Sequence, residues 1–477
     1  MASTGRSTEV EHYGWFTPVR IIKFLIAWLS LYVALTFFIA NPFWDETSAS
    51  AAINWQHTMF LHGFLIGLVG LVAIGVVDAF HFRSYHARSW ILVGTMVATI
   101  FAGIGGIFDA HPTDTLALWT QILGFFSLDE ILLLLSWSFF SEYRQSHPGR
   151  KTLAFWVAWM GSISMFLAAL MGHLAGWLLE FGQHAPFNWP SNYAHFIGVP
   201  FPAWVTNLIT SHSHEMVIAL IGTLIGTLAW HYGYHGSAST RVPSATKAGL
   251  AMVVFGIIAM TFIYLVAGFT LYQPPTLFAF GPGGINGLAG DDLVTGIFVL
   301  IGGLIALSGF LFQNQGISPS SYRVRLATIV AFILSVVTVV GAGYSIELRE
   351  TYFGMGNPKA AGATRDAVFT FWHQDFAFFL VPALIAVLYL ADRYLLPRIA
   401  ERFANTILVG LPVAFLGGLI YVFWSPARYG VGYLVIALGF LTIAYAIIRL
   451  WWSALNSRPT DTHEQLSETT TPQKTSA

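Results

Sequence analysis

Gln56-His-Thr-Met-Phe-Leu-His-Gly-Phe-Leu-Ile-Gly-Leu-Val-Gly-Leu-Val-Ala-Ile-Gly-Val-Val-Asp-Ala-Phe80 decides the fold. Between His62 and Asp78 it holds no polar side chain, and about 20 apolar residues suffice to cross a bilayer as a helix. The same pattern repeats along the chain. Twelve apolar spans read as 20–40, 56–80, 89–108, 115–141, 152–179, 203–230, 248–272, 290–312, 325–346, 367–391, 405–424 and 430–452. The expectation is an all-α polytopic membrane protein of about twelve transmembrane helices. A polar segment, 1–19, precedes the membrane domain at 20–453, and a Thr/Ser/Gln/Glu-rich tail, 454–477, follows it.

Composition agrees. The chain is 56% hydrophobic and 9% charged, with 17 Trp and 40 Phe in 477 residues; soluble domains carry about 25% charge. A net charge of −1 and the scarcity of basic residues argue against a nucleic-acid partner. Eighteen of the 22 Lys and Arg fall in the N-terminal segment, the even-numbered loops or the tail. Cytoplasmic loops collect such residues, so both termini are expected in the cytoplasm, which requires an even number of spans. An integral protein of a prokaryotic plasma membrane, with the lipid bilayer and further membrane subunits as partners, is the expected setting.

Histidines mark three of the spans. His57 and His62 open the second, His212 and His214 the sixth, and His373 the tenth. A set recurring every fourth span suggests three four-helix units. Imidazole inside a bilayer is costly and is usually functional. Cysteine is absent, which excludes disulfides, thiolate-held iron–sulfur clusters and covalent heme attachment through Cys-x-x-Cys-His. Imidazole, carboxylate and thioether remain as ligands.

Residues two apart on a helix point about 200° apart, so His212 and His214 serve different sites. In a ring of three units, one faces the second span and the other the tenth, where His62 and His373 are natural opposite ligands. His57 lies about 140° around the helix from His62. His173, late in the fifth span, is a further candidate metal ligand. Glu215, Asp129 and Glu130 are intramembrane acids suited to proton transfer. His81/His86 and His231/His235 have the spacing of di-iron histidine boxes, but no adjacent His-His pair accompanies them.

The layout resembles subunit I of the heme-copper oxidase and nitric oxide reductase superfamily. Met59-Phe-Leu-His62-Gly63 is similar to that family's helix-2 segment, and His212, His214 and His373 fall on its helices 6 and 10. The resemblance implies a pseudo-threefold bundle and a low-spin heme held from helices 2 and 10. It implies electron transfer or reduction of a small diatomic substrate such as O2 or NO. It also implies a respiratory-chain donor: a cytochrome c, a cupredoxin or quinol. The chain departs from the family pattern in three ways. The seventh span has no histidine, the tenth has one rather than His-x-His, and the sixth carries the His-x-His. The expected cofactor is a b- or a-type heme on His62, His212, His214 and His373, with copper or non-heme iron as a second metal. Two other readings fit the residues: a proton- or metal-coupled secondary transporter, and a copper- or heme-handling membrane protein.

Overall fold

A computed structural model describes residues 28, 51–108, 115–145, 151–234, 242–269, 287–311, 320–352, 376–378, 380–423 and 428–456. The helices are α1 (Ala51–Phe80), α2 (Tyr85–Phe108), α3 (Thr115–Gln145), α4 (Leu153–Phe181) and the short α5 (Trp189–Phe196). They continue with α6 (Phe201–His231), α7 (Ser244–Phe269), α8 (Gly287–Leu311) and α9 (Tyr322–Tyr352). The last three are α10 (Val381–Tyr394), α11 (Pro397–Phe423) and α12 (Tyr433–Asn456). No strand occurs among the described residues.

Ten of these helices are long and apolar enough to cross a membrane. The expected eighth span corresponds to α8, whose apolar part, Gly296–Leu311, is shorter. The first expected span lies outside the described residues except for Trp28. The expectations for the termini fall outside them as well.

Successive long helices pack antiparallel. Gly70 meets Thr95 across α1 and α2, Gly94 meets Ile131 across α2 and α3, and Gly226 meets Ala158 across α4 and α6. Small residues permit this approach, as is usual between helices in lipid. At the α7–α8 crossing, a Cβ on Gly249 would stand 2.5 Å from the Gly302 carbonyl oxygen. One further methyl on either glycine would therefore force these backbones apart. Antiparallel packing gathers the described Lys and Arg of the even-numbered loops at one end of the bundle, including Arg83, Arg144, Lys151, Lys247, Arg323 and Arg393.

Burial ranks the helices. Of the apolar windows, 89% is buried in α1, 88% in α10 and 76% in α6, against 39% in α3 and 35% in α12. The three innermost helices, which correspond to the second, sixth and tenth spans, all touch one another. The histidine-bearing spans therefore form the centre of the bundle. Imidazoles on them can be shielded from lipid, whereas the same residues on α12 would not be.

Candidate functional site

The site lies where α1, α3, α4 and α6 meet, toward the end of the bundle away from the Lys/Arg-rich end. His62 and His212 face each other from α1 and α6. Their rings are parallel within 2° and their centroids are 6.3 Å apart. The His212 ring is fixed from behind, its Nδ1 lying 2.7 Å from the Ala168 carbonyl oxygen of α4. A carbonyl only accepts, so Nδ1 carries the proton. In the neutral ring the Nε2 lone pair is then the one available to a metal or a hydrogen-bond donor. Gly172, one turn further along α4, makes room for the ring. A Cβ there would stand 2.5 Å from His212 Cε1 and Nδ1.

The spacing of the two rings can be tested against a shared metal. With metal–nitrogen bonds of about 2.0–2.1 Å and ring centroids roughly 1.1 Å further back, two imidazoles opposed across one metal have centroids about 6.3 Å apart. The His62–His212 centroids lie at that separation, which stacked rings with no metal between them also adopt. Gly63, buried next to His62, adds no side chain to the site.

Phe125 of α3 stands edge-on to His62, with centroids 5.7 Å apart. Its other side meets His173 of α4 at 5.6 Å, and Phe126 covers that imidazole at 5.6 Å. His173 pairs with Asp129 of α3, Nδ1 to Oδ2, at 2.6 Å. The second Asp129 oxygen, Oδ1, is buried with no hydrogen-bond partner. His173 is thus near the two facing histidines but is engaged with a carboxylate. Among the described residues, no three or more of His, Asp and Glu come together to hold a metal ion.

His212 and His214 diverge as the helical geometry requires. His214 lies alongside Tyr264 of α7, with centroids 5.9 Å apart and planes 20° apart. Its neighbour among the described residues is therefore α7. His373, the expected partner, lies outside the described residues, as does the side chain of His57. Glu215 is buried between α4 and α7. Ser164 donates to its Oε1 at 3.1 Å, and Thr261 lies 2.8 Å from Ser164 Oγ. Glu215 Oε2 and Ser211 Oγ, one helical turn apart, are buried without partners. The adjacent acids Asp129 and Glu130 are split by their 100° rotation: Asp129 points inward to His173, and Glu130 is exposed on the outside of the bundle.

A second polar cluster, at the Lys/Arg-rich end, has no counterpart in the sequence reading. Asp78 of α1 accepts from Tyr394 Oη at 2.6 Å, Tyr389 Oη at 3.0 Å and Arg393 Nε at 2.9 Å. Beside it, Asp392 takes a short hydrogen bond from Ser320 and lies 3.4 Å from His231 Nε2. The edge of the His231 ring meets Tyr389, with centroids 4.8 Å apart. One signal was legible: Asp392-Arg-Tyr394 at a span end, with Tyr389 one turn earlier. Its partner, Asp78, is more than 300 residues away in sequence.

No protein-family model matches the chain, and no characterised protein matches it in sequence.

Proposed function

We propose that this is an integral-membrane hemoprotein in which His62 and His212 would hold the heme iron, and that it works by electron transfer. What supports this reading is the pair of parallel imidazoles, 6.3 Å apart, on α1 and α6, two of the three innermost helices. Heme iron between two histidines supplies a one-electron couple without an open coordination position.

The chain's own residues have definable parts in this. The Ala168 carbonyl orients His212 and fixes its tautomer. Gly172 and Gly63 keep side chains off the site. Phe125 closes one side and excludes water. His173 and Asp129 hold a proton between Nδ1 and Oδ2 close to the pair, and Glu215 offers a buried carboxyl one turn from His212. Reduction of O2 or NO would require a second metal, which on this reading has to be completed by His373 or His57.

The experiment is an absorption spectrum of the detergent-purified chain, oxidised and dithionite-reduced, with metal analysis of the same sample. The expected result is a Soret band with sharp reduced α-bands, lost or altered in His62→Ala and His212→Ala and unchanged in His463→Ala. A featureless spectrum after heme-supplemented expression overturns the reading. The half-buried Asp129–His173 pair favours one alternative, a proton-coupled transporter. It predicts flux in proteoliposomes that Asp129→Asn abolishes, with no Soret band.

A further inference from the structure

The outer face of α3 carries a side chain that lipid does not accommodate. Trp119, Leu123, Phe126, Leu133 and Trp137 are all exposed, at spacings of three and four residues that keep them on one stripe. Glu130 is exposed in the middle of that stripe. It lies fifteen residues from either end of α3, which is about 22 Å of helix on each side, so it sits near the centre of the bilayer. Hydrocarbon offers a carboxyl no hydrogen-bond partner, and such residues in membrane helices usually face protein. The last helix is a control within the same chain. On α12, Leu434, Leu438, Leu441, Ile448 and Trp452 form an equally exposed stripe whose polar members, Tyr445 and Arg449 toward the helix end, hydrogen-bond to each other. That stripe is satisfied by lipid; the α3 stripe is not.

From this we infer that the α3 face is the contact between two copies of this chain, related by a two-fold axis along the membrane normal that passes near Glu130. Such an axis brings each stripe residue opposite itself at the same depth. In its neutral form a carboxyl has one O–H donor and one C=O acceptor. Two of them at one depth close a pair of hydrogen bonds without net charge. A second copy supplies this complement by symmetry, and the flanking aromatic and leucine side chains pack around it. The inference does not depend on the heme assignment.

The chain has no cysteine, so single cysteines report contacts without background. Leu133→Cys and Leu123→Cys on α3, and Leu438→Cys on α12 as control, are oxidised in native membranes. The expected result is a disulfide-linked species of twice the chain mass at both α3 positions and none at Leu438→Cys. In the Leu133→Cys background, Glu130→Gln retains the dimer, because an amide is also its own donor and acceptor. Glu130→Leu, which suits lipid better and does not threaten folding, lowers the dimer yield about tenfold for the loss of two interhelical hydrogen bonds. Cross-linking absent from α3, equal on α12, indifferent to Glu130→Leu, or leading to a different protein would each overturn the inference.

Discussion

The two ends of the central helices are built on opposite principles. At the Lys/Arg-rich end, Asp78 is surrounded by two phenols and a guanidinium that all donate to it. Its side chain is 9% exposed. These three hydrogen bonds all tie α1 to α10, so the Asp78 group is a lock. At the other end, α1 and α6 present two imidazoles in parallel planes, one of them fixed from behind by the Ala168 carbonyl of α4. A lock satisfies its polar groups within the protein. A binding site holds ligating groups in place from behind, as Ala168 and Gly172 do for His212, and leaves the front for something else. Burial alone does not separate the two, since both lie on the most buried helices; the direction of the hydrogen bonds does.

This contrast can be broken by mutation. The largest effect is expected from Asp78→Ala, which strands the Tyr394 hydroxyl, removes the acceptor of Arg393 and leaves Tyr389 only the Gly75 carbonyl. A buried hydroxyl left unsatisfied costs about 1–3 kcal/mol, and Arg393, whose side chain is 41% exposed, adds little. The expected outcome is a lowered unfolding temperature in detergent. Heme absorbance per folded molecule should be unchanged, because the histidine pair is roughly 24 Å away along α1. A spectral change in Asp78→Ala that matches its loss of stability would show that the two ends are not separate.

Gly172→Ala sharpens the other side. Its methyl would overlap the His212 ring, and overpacking costs about 1–3 kcal/mol. The ring must move off its Ala168 hydrogen bond, so heme content is expected to fall further than stability does. Equal heme content in Gly172→Ala and the parent would remove His212 from the ligand set. The smallest effect is expected from Tyr389→Phe. It removes bonds to Asp78 and to the Gly75 carbonyl but leaves Tyr394 and Arg393 in place, for a loss of about 1 kcal/mol. A loss as large as that of Asp78→Ala would mean that Tyr389 is the keystone of the lock.

Much of this was legible in the chain. Apolar length marked the membrane spans, and the recurrence of histidine every fourth span marked what became the three innermost helices. The divergence of His212 and His214 follows from 100° per residue and was seen in advance. The choice of partners was less legible. His62 was paired in prospect with the sixth or tenth span, and His212 meets it. His214 lies beside Tyr264 of α7, and His373 of the tenth span lies outside the described residues. Asp129 and Glu130 were read together as intramembrane acids, although neighbouring residues on a helix cannot share a face. The Asp78 cluster was missed because its members are far apart in sequence and each reads singly as an ordinary interfacial residue.

The sequence by itself determined that the chain is helical and membrane-embedded, which helices carry imidazole, and the angle between any two side chains on one helix. These are local quantities, set by apolar length and by the pitch of the α-helix. The tertiary structure alone decided which neighbour lies at each angle. It set His62 against His212, Asp129 against His173, and Asp78 within a cage from α10, and it turned Glu130 outward. Those outcomes depend on how small residues let particular helices approach, which is a property of pairs of helices and is written in neither one alone.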